Sequence, residues 1–475
     1  MTPLVPIMLF GWVPFTVMLF FTLKPHRAVL VAVIGGWLLL PATGYSWEGI
    51  PPYNKNVAIS MGLILGGWLS GQYFKANFKW RIYDLPMVLW CLAPIPTSLT
   101  NQLGLYDGLS GFYSQIMTWG IPYLAGRIYF KNNETLRDLC LAVVIGGFVY
   151  AILALYEIRM SPQLSNMVYG FFPHSFLQHF RYDGFRPIVF MQHGLMVSLW
   201  IALSATVAFW LWRSRAVERL GGIPMAFIVA VLVITTILCK SANAWVALAL
   251  GCGGYFVYRK PGLHFIFPLL LLVVPLYIGL RISGMVAAGD VEVLVAKVFD
   301  EDRTSSLAIR LLQEDLFSQK ALESPLFGWG GYGRGWPVDP DTGRNVIQMV
   351  DAFWTIVFNS RGFFGLISMV VAMLLGPWLV LCGKALKRGV DVTEIITPVI
   401  LSMVVILFML DSLFNAMVNP VYLMTSGALL GWYLSLEGVV VGNKDKKYGR
   451  KIEREAIEPR FGRVSRHVHL MRRCQ

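Results

Sequence analysis

The sequence predicts an all-α integral membrane protein with about 12–13 transmembrane helices and one large outer loop containing short helices. Three observations predict it. Of 475 residues, 56% are hydrophobic and 14% charged, against about 25% charged in a soluble domain. That leaves too little polar surface to clothe a water-soluble fold. Apolar runs recur along the chain at close to the ~20 residues that cross a bilayer. The basic residues gather in alternate loops between those runs.

The first run, Leu4 to Leu23, lacks a basic n-region and a small-residue cleavage site, so it is expected to be a retained span. Further spans are expected over 28–42, 56–72, 84–99, 110–126, 136–156, 187–212, 223–239, 242–258, 263–282, 353–382, 395–411 and 416–436. Runs 28–42 and 242–258 are short for a full crossing. Gly62-x-x-x-Gly66 suits a close approach of two helices. The chain thus divides into N-terminal helices (1–156), central helices with an outer segment at 157–186 (157–282), a large outer loop (283–352), C-terminal helices (353–440) and a basic tail (441–475).

One set of loops carries Lys24, Arg27, Lys75, Lys79, Arg81, Arg127, Lys131, Arg137, Arg213, Arg215, Arg219, Arg259, Lys260, Lys384, Lys387 and Arg388. With the tail from Lys444 to Arg473 it holds 27 of the 40 basic residues. Basic loops stay cytoplasmic, so the N-terminus is expected outside, the tail inside, and the span number odd. The formal charge of +13 would suggest nucleic acid for a soluble chain. Here it is expected to set orientation and to hold the tail near anionic membrane lipids. Five of the six cysteines lie in or beside apolar runs and no C-x-x-C pair occurs, so neither a disulfide framework nor a zinc site is expected. His174 and His179 are too sparse to suggest a metal, and no cofactor is implied.

The residues able to carry chemistry lie on one side of this map. Arg310, on a helix expected to open near Thr304 to Ser306 and to end before Pro325, has two readings: a bidentate phosphate clamp, or an ion pair with Glu314 at i+4. Pro325-Leu-Phe-Gly-Trp-Gly-Gly-Tyr-Gly-Arg-Gly-Trp336 places five glycines among aromatics. It is either a loop whose backbone approaches a ligand and whose Trp329, Tyr332, Arg334 and Trp336 line a sugar site, or an ordinary turn. Asp351 either takes a proton from an acceptor hydroxyl or caps the following helix. Asn359, Ser360 and Arg361 lie two turns further in, a depth at which ionisable groups usually mark a cavity or pathway. Arg186, Gln192, His193 and Lys240 read as ligand-binding groups or as snorkelling and helix-linking ones. Together, Arg186, Lys240, Arg310 and Asp351 make a basic cluster with one carboxylate at one membrane face, suited to an anionic, lipid-borne phosphate.

These stretches resemble the O-antigen ligase and O-antigen polymerase superfamily. The resemblance rests on Arg310, on Pro325-Leu-Phe-Gly-Trp-Gly, and on Asp351-Ala-Phe-Trp-Thr-Ile-Val-Phe-Asn-Ser-Arg-Gly362-Phe-Phe-Gly365-Leu, which is similar to the family's "HNxxLxxLxxxGxxGL". Arg186-Pro…Gln192-His193-Gly and Lys240-Ser-Ala-Asn resemble two earlier signatures, so the match covers roughly residues 180 to 375. The family's histidine is Asp351 here and its asparagine is Ala352. The arginine that often follows serine in the middle signature is Ala242 or Asn243. The resemblance implies a bacterial inner-membrane glycosyltransferase that needs no metal, with a periplasmic site. It implies an undecaprenyl-diphosphate-linked glycan donor, a glycan, lipid or protein acceptor, and, for a polymerase, a chain-length regulator as partner. In these terms Arg186, Arg310, Arg303 and Lys240 hold the donor diphosphate, and Asp351 and Arg310 are catalytic. Trp329, Tyr332, Arg334, Trp336 and His193 shape the sugar and acceptor site. A transporter or flippase of lipid-linked glycan is the rival reading.

Overall fold

The computed structural model describes residues 1–181, 184–289, 293, 301–331, 333–339, 341–346, 350–383 and 392–436. It is mostly helical, and its described strands form two-residue to five-residue hairpins. Among the described residues, four helices are long and apolar enough to cross a membrane: Leu4–Thr22, Asn133–Met160, Gly194–Arg213 and Phe353–Cys382. The pair Ile82–Leu92 and Pro94–Thr100, bent by 41°, makes a fifth if counted as one span. Shorter apolar helices are Pro25–Leu39, Lys55–Leu69, Met225–Leu238, Ile266–Ile282 and Ile395–Asp411. Helices Leu105–Gln115 and Ile121–Tyr129, joined by a π-turn, Ala242–Tyr258, and 420–436 complete the bundle. A helix thus stands over nearly all of each expected span, in a composition suited to a multi-pass membrane protein. The tail at 441–475 and the basic residues Lys384, Lys387 and Arg388 lie outside the described residues.

Lipid gives helices no hydrophobic reason to associate, so close packing of small residues does that work. Gly62 and Gly66 face Thr16 and Phe20 of the first helix, and a Cβ on Gly62 would lie 2.7 Å from that of Thr16. Gly427 and Gly126 bring 420–436 against Ile121–Tyr129 backbone to backbone. Gly194–Arg213, Ile395–Asp411 and 420–436 are buried almost throughout. The first helix turns Ile7, Phe10, Met18 and Phe21 outward. Arg127 and Asp84 pair at 3.1 Å in the interior, each cancelling a charge that would be costly alone.

One boundary differs from expectation. The helix expected from 187 begins at Gly194, capped by His193, which accepts the Leu195 amide on Nδ1. The apolar residues before it are buried without being helical. Their amides have another partner: Glu157, buried at the end of Asn133–Met160, accepts Ile188 and Val189 at 2.8 Å and Leu164 at 2.9 Å. One carboxylate satisfies donors that a helix would have satisfied. It pins the segment carrying Arg186 onto the bundle.

The second departure lies within Phe353–Cys382. Gly362 takes φ 59°, ψ −162° and breaks the helix. The loop Pro325–Gly330 fills the break. Phe363 and Phe364 donate their amides to Pro325 and Leu326 at 2.7 and 3.1 Å, while Asn359 and Ser360 accept from Trp329 and Gly330 at 2.8 and 3.2 Å. The opposite side of the loop is held by the bent pair: Thr97 Oγ1 donates to Phe327 O at 2.7 Å and Asn101 Nδ2 to Gly328 O at 2.8 Å. Gly328 (φ 68°) has no room for a Cβ, which would lie 2.5 Å from the Arg361 nitrogen, and a Cβ on Gly362 would strike Leu326. G362A and G328A should therefore each cost more than about 3 kcal/mol, from left-handed strain plus overpacking. G343A, at φ 64° with no neighbour within 4 Å, should cost only about 1–2 kcal/mol. Melting of the purified variants in detergent checks the ranking, and equal losses at all three would refute it.

Candidate functional site

Helix Glu301–Leu322 presents Arg310, and its rotation is set from below. Arg281, buried at the end of Ile266–Ile282, reaches Glu314 at 3.0 Å, Asp315 at 2.9 Å and the Leu311 carbonyl at 2.8 Å. Tyr277 donates to Glu314 at 2.8 Å. With Glu314 so engaged, the i+4 ion-pair reading of Arg310 does not hold. Arg310 Nε instead meets Asp351 Oδ2 at 3.0 Å, both side chains half-buried. Asp351 does not cap the next helix either: Ala352 holds the N-cap position, and no side chain caps it. Arg310 is also within electrostatic reach of Asp411, a buried carboxylate at the end of Ile395–Asp411. Asn415 donates to Asp411 at 2.7 Å, and Asn243 at 3.4 Å.

Asn243 leads to the second motif. Lys240 stands between Met225–Leu238 and Ala242–Tyr258 at φ 54°, and its carbonyl accepts Arg186 Nη2 at 2.9 Å. Buried Arg186 lies along Gly194, where a Cβ would meet its Cδ at 2.5 Å; Lys240 Nζ lies against Gly184. Each glycine admits a cation that a larger residue would displace. Arg186 with Lys240, Asn243 with Asp411, and Arg310 with Asp351 are thus three polar pairs, the last two within electrostatic reach of each other through Arg310 and Asp411.

Three histidines from the outer segment join the Arg186 end. The rings of His174 and His193 lie 4.9 Å apart at 84°, and that of His179 is 6.1 Å from each. Sequence spacing did not suggest this grouping. Among the described residues, no His, Cys, Asp or Glu group has metal-holding geometry. His193 accepts on Nδ1, so its neutral ring carries the proton on Nε2. His179 is fully buried. Burial, then the neighbouring His174 and Arg186, push its pKa down to about 4.

The glycine-aromatic loop packs in part against the rest of the bundle. Gly328 and Gly335 meet the broken helix and Gly330 meets Leu103, while Gly331 and Gly333 have no neighbour within 4 Å. Trp329 Nε1 donates to the Lys320 carbonyl at 2.8 Å, with the Lys320 ammonium 4.5 Å from its ring. Trp336 packs edge-on to Phe317 at 5.8 Å. Arg334 pairs with Asp107 at 2.9 Å. Tyr332 and the side chain of Arg303 lie outside the described residues. The residues that sequence reasoning passed over are Glu157, Asp411 and Asp107. The available signal was an acid at or beside a span end, though nothing local named its partner.

No family model matches the chain, and no curated protein matches it.

His179 generates a pH prediction. Its folded pKa lies below the unfolded value near 6.5, so only the unfolded chain takes up this proton between pH 6.5 and 4. Its contribution is complete above about pH 6.5 and is lost as pH falls toward 4. In H179F the melting temperature should fall less over that window than in the parent chain. Parallel curves would refute the assignment.

Proposed function

We propose that the chain is a polysaccharide polymerase or ligase. It would move a glycan from an undecaprenyl-diphosphate-linked donor to a hydroxyl acceptor at the outer face of the bacterial inner membrane. The observation that carries this reading is the Arg310–Asp351 ion pair. It joins two of the motifs that resemble the O-antigen ligase and polymerase superfamily, and through Asp411 and Asn243 it is linked to the other two. In this reading the apolar helices make about 12–13 crossings, with the N-terminus outside, the 283–352 loop periplasmic and the tail cytoplasmic.

The reaction is a displacement at the anomeric carbon. The acceptor oxygen forms the new bond as the bond to phosphate breaks, and the diphosphate leaves with the electron pair. Arg186, Lys240 and Arg310, with Arg303, bind that diphosphate and offset its growing charge. Arg310 engages Asp351 through Nε, so its two terminal nitrogens are the edge that grips phosphate. Asp351 takes the acceptor proton late in bond formation. A donor that draws Arg310 toward itself loosens the ion pair, so donor arrival and release of the base are coupled. Trp329, Tyr332, Arg334, Trp336 and His193 shape the sugar and acceptor side.

A second reading, a transporter or flippase of lipid-linked glycan, has one observation in its favour. Broken helices are a transporter device, and this chain has a break at Gly362 and a bend at Ala93.

Two experiments test these proposals. In proteoliposomes supplied with lipid-linked donor, R310A and D351N should each lower glycan transfer by about 10²–10³-fold at normal expression. R310K should recover little, since an ammonium lacks the bidentate fork. Full transfer in D351N would remove the base. Movement of donor across the bilayer without transfer would favour the transporter. For topology, cysteines at Asp341 and Asn443 should label from opposite sides of the membrane, and labelling from one side would overturn the orientation.

A further inference from the structure

Arg361 is used by none of the chemistry above. It immediately precedes the break at Gly362, and its Cβ lies over Gly365. Its guanidinium reaches across to helix Leu105–Gln115. There a Cβ built on Gly111 would stand 3.7 Å from Nη2. One turn earlier on the same helix face is Asp107, whose carboxylate is taken by Arg334 at 2.9 Å. Asp107 and Arg334 both act electrostatically on Arg361, but no ion pair or hydrogen bond to its guanidinium occurs among the described residues. One turn later on that face is Gln115, whose Nε2 is buried with no hydrogen-bond partner. Trp90, which a Cβ on Gly365 would approach to 3.3 Å, likewise has a buried Nε1–H without an acceptor.

The inventory is lopsided. Two guanidinium groups stand near one carboxylate, leaving a single positive charge, and on the same helix face the buried Gln115 Nε2 lacks an acceptor among the described residues. Desolvated donors and unpaired cations are costly, and a guanidinium fork matches a planar or tetrahedral oxyanion. We propose that Arg361, Arg334 and the Asp107–Gly111–Gln115 face form a binding site for a singly charged oxyanion, a phosphodiester or a carboxylate. The site is separate from the Arg186–Arg310 cluster and stands whether or not the chain transfers glycans. Its ligand is either the phosphodiester of a membrane lipid headgroup or the carboxylate of an acidic sugar.

The test uses the full chain in a neutral maltoside detergent, with melting temperature read against added phosphatidylglycerol or sodium glucuronate. A ligand that binds the folded state raises the melting temperature saturably. Stabilisation by phosphatidylglycerol alone identifies a lipid headgroup, and stabilisation by glucuronate identifies an acidic sugar. R361Q should weaken the apparent affinity at least about tenfold, and R361K should weaken it less. R334Q, at an exposed position, should also weaken it and decides the matter if R361Q does not fold. No saturable response to either ligand in the parent chain, or equal affinities in the parent and R334Q, would overturn the site.

Discussion

The break at Gly362 is the constraint on which the candidate-site end of this protein depends. A helix interrupted in a membrane exposes amides and carbonyls that lipid cannot satisfy. Here Pro325–Gly330 supplies acceptors for Phe363 and Phe364 and takes the carbonyls of Asn359 and Ser360. Because Thr97 and Asn101 hold the same loop from the other side, the break also joins two helical units. The joint admits glycine at 328 and 362, since a Cβ at either would meet backbone atoms.

The ionic groups are arranged around that joint. Arg281 locks the Glu301–Leu322 helix through two acids, which turns Arg310 toward Asp351. Phe353 donates to the Ser412 carbonyl at 3.1 Å, so Asp351 and Asp411 are brought to one end of the bundle. At the break itself, Arg334 pairs with Asp107, and Arg361, the residue before Gly362, lies within electrostatic reach of the same carboxylate. The two ends of the arm before the break therefore serve different charge clusters. The first sets Arg310 against Asp351 with Asp411 in reach, and the second sets two guanidinium groups against one carboxylate.

Glu157 does for the central segment what the loop does for the break. Its carboxylate accepts three amides and frees 187–193 from being helical. Arg186 and His193 are thereby presented at the mouth of Gly194–Arg213 rather than along its side. In both places groups from another segment take up the hydrogen bonds a helix would have made, and a cation proposed to bind an oxyanion stands next to them.

The helices were legible in the sequence because apolar periodicity and length are local properties, and lipid leaves the backbone little choice but helix. Gly62 and Gly66 were legible as a packing site for the same reason. The candidate residues were legible as types in costly places: Arg186, Lys240, Arg310 and Asp351 stand out in a chain poor in charge. Their partners were not. The spacing of Arg310 and Glu314 fits an i+4 pair equally well, and only the presence of Arg281 beneath the helix turns Glu314 away. Asp351 precedes a helix, as a cap would, yet Arg310 claims its carboxylate. The run at 187–193 is as apolar as a span, and Glu157, some thirty residues earlier, decides that it is not one. The glycines of the 325–336 loop announce close backbone approach without saying to what. Tertiary structure directs Gly328 and Gly335 to a broken helix, whose unpaired amides and carbonyls the loop's own satisfy.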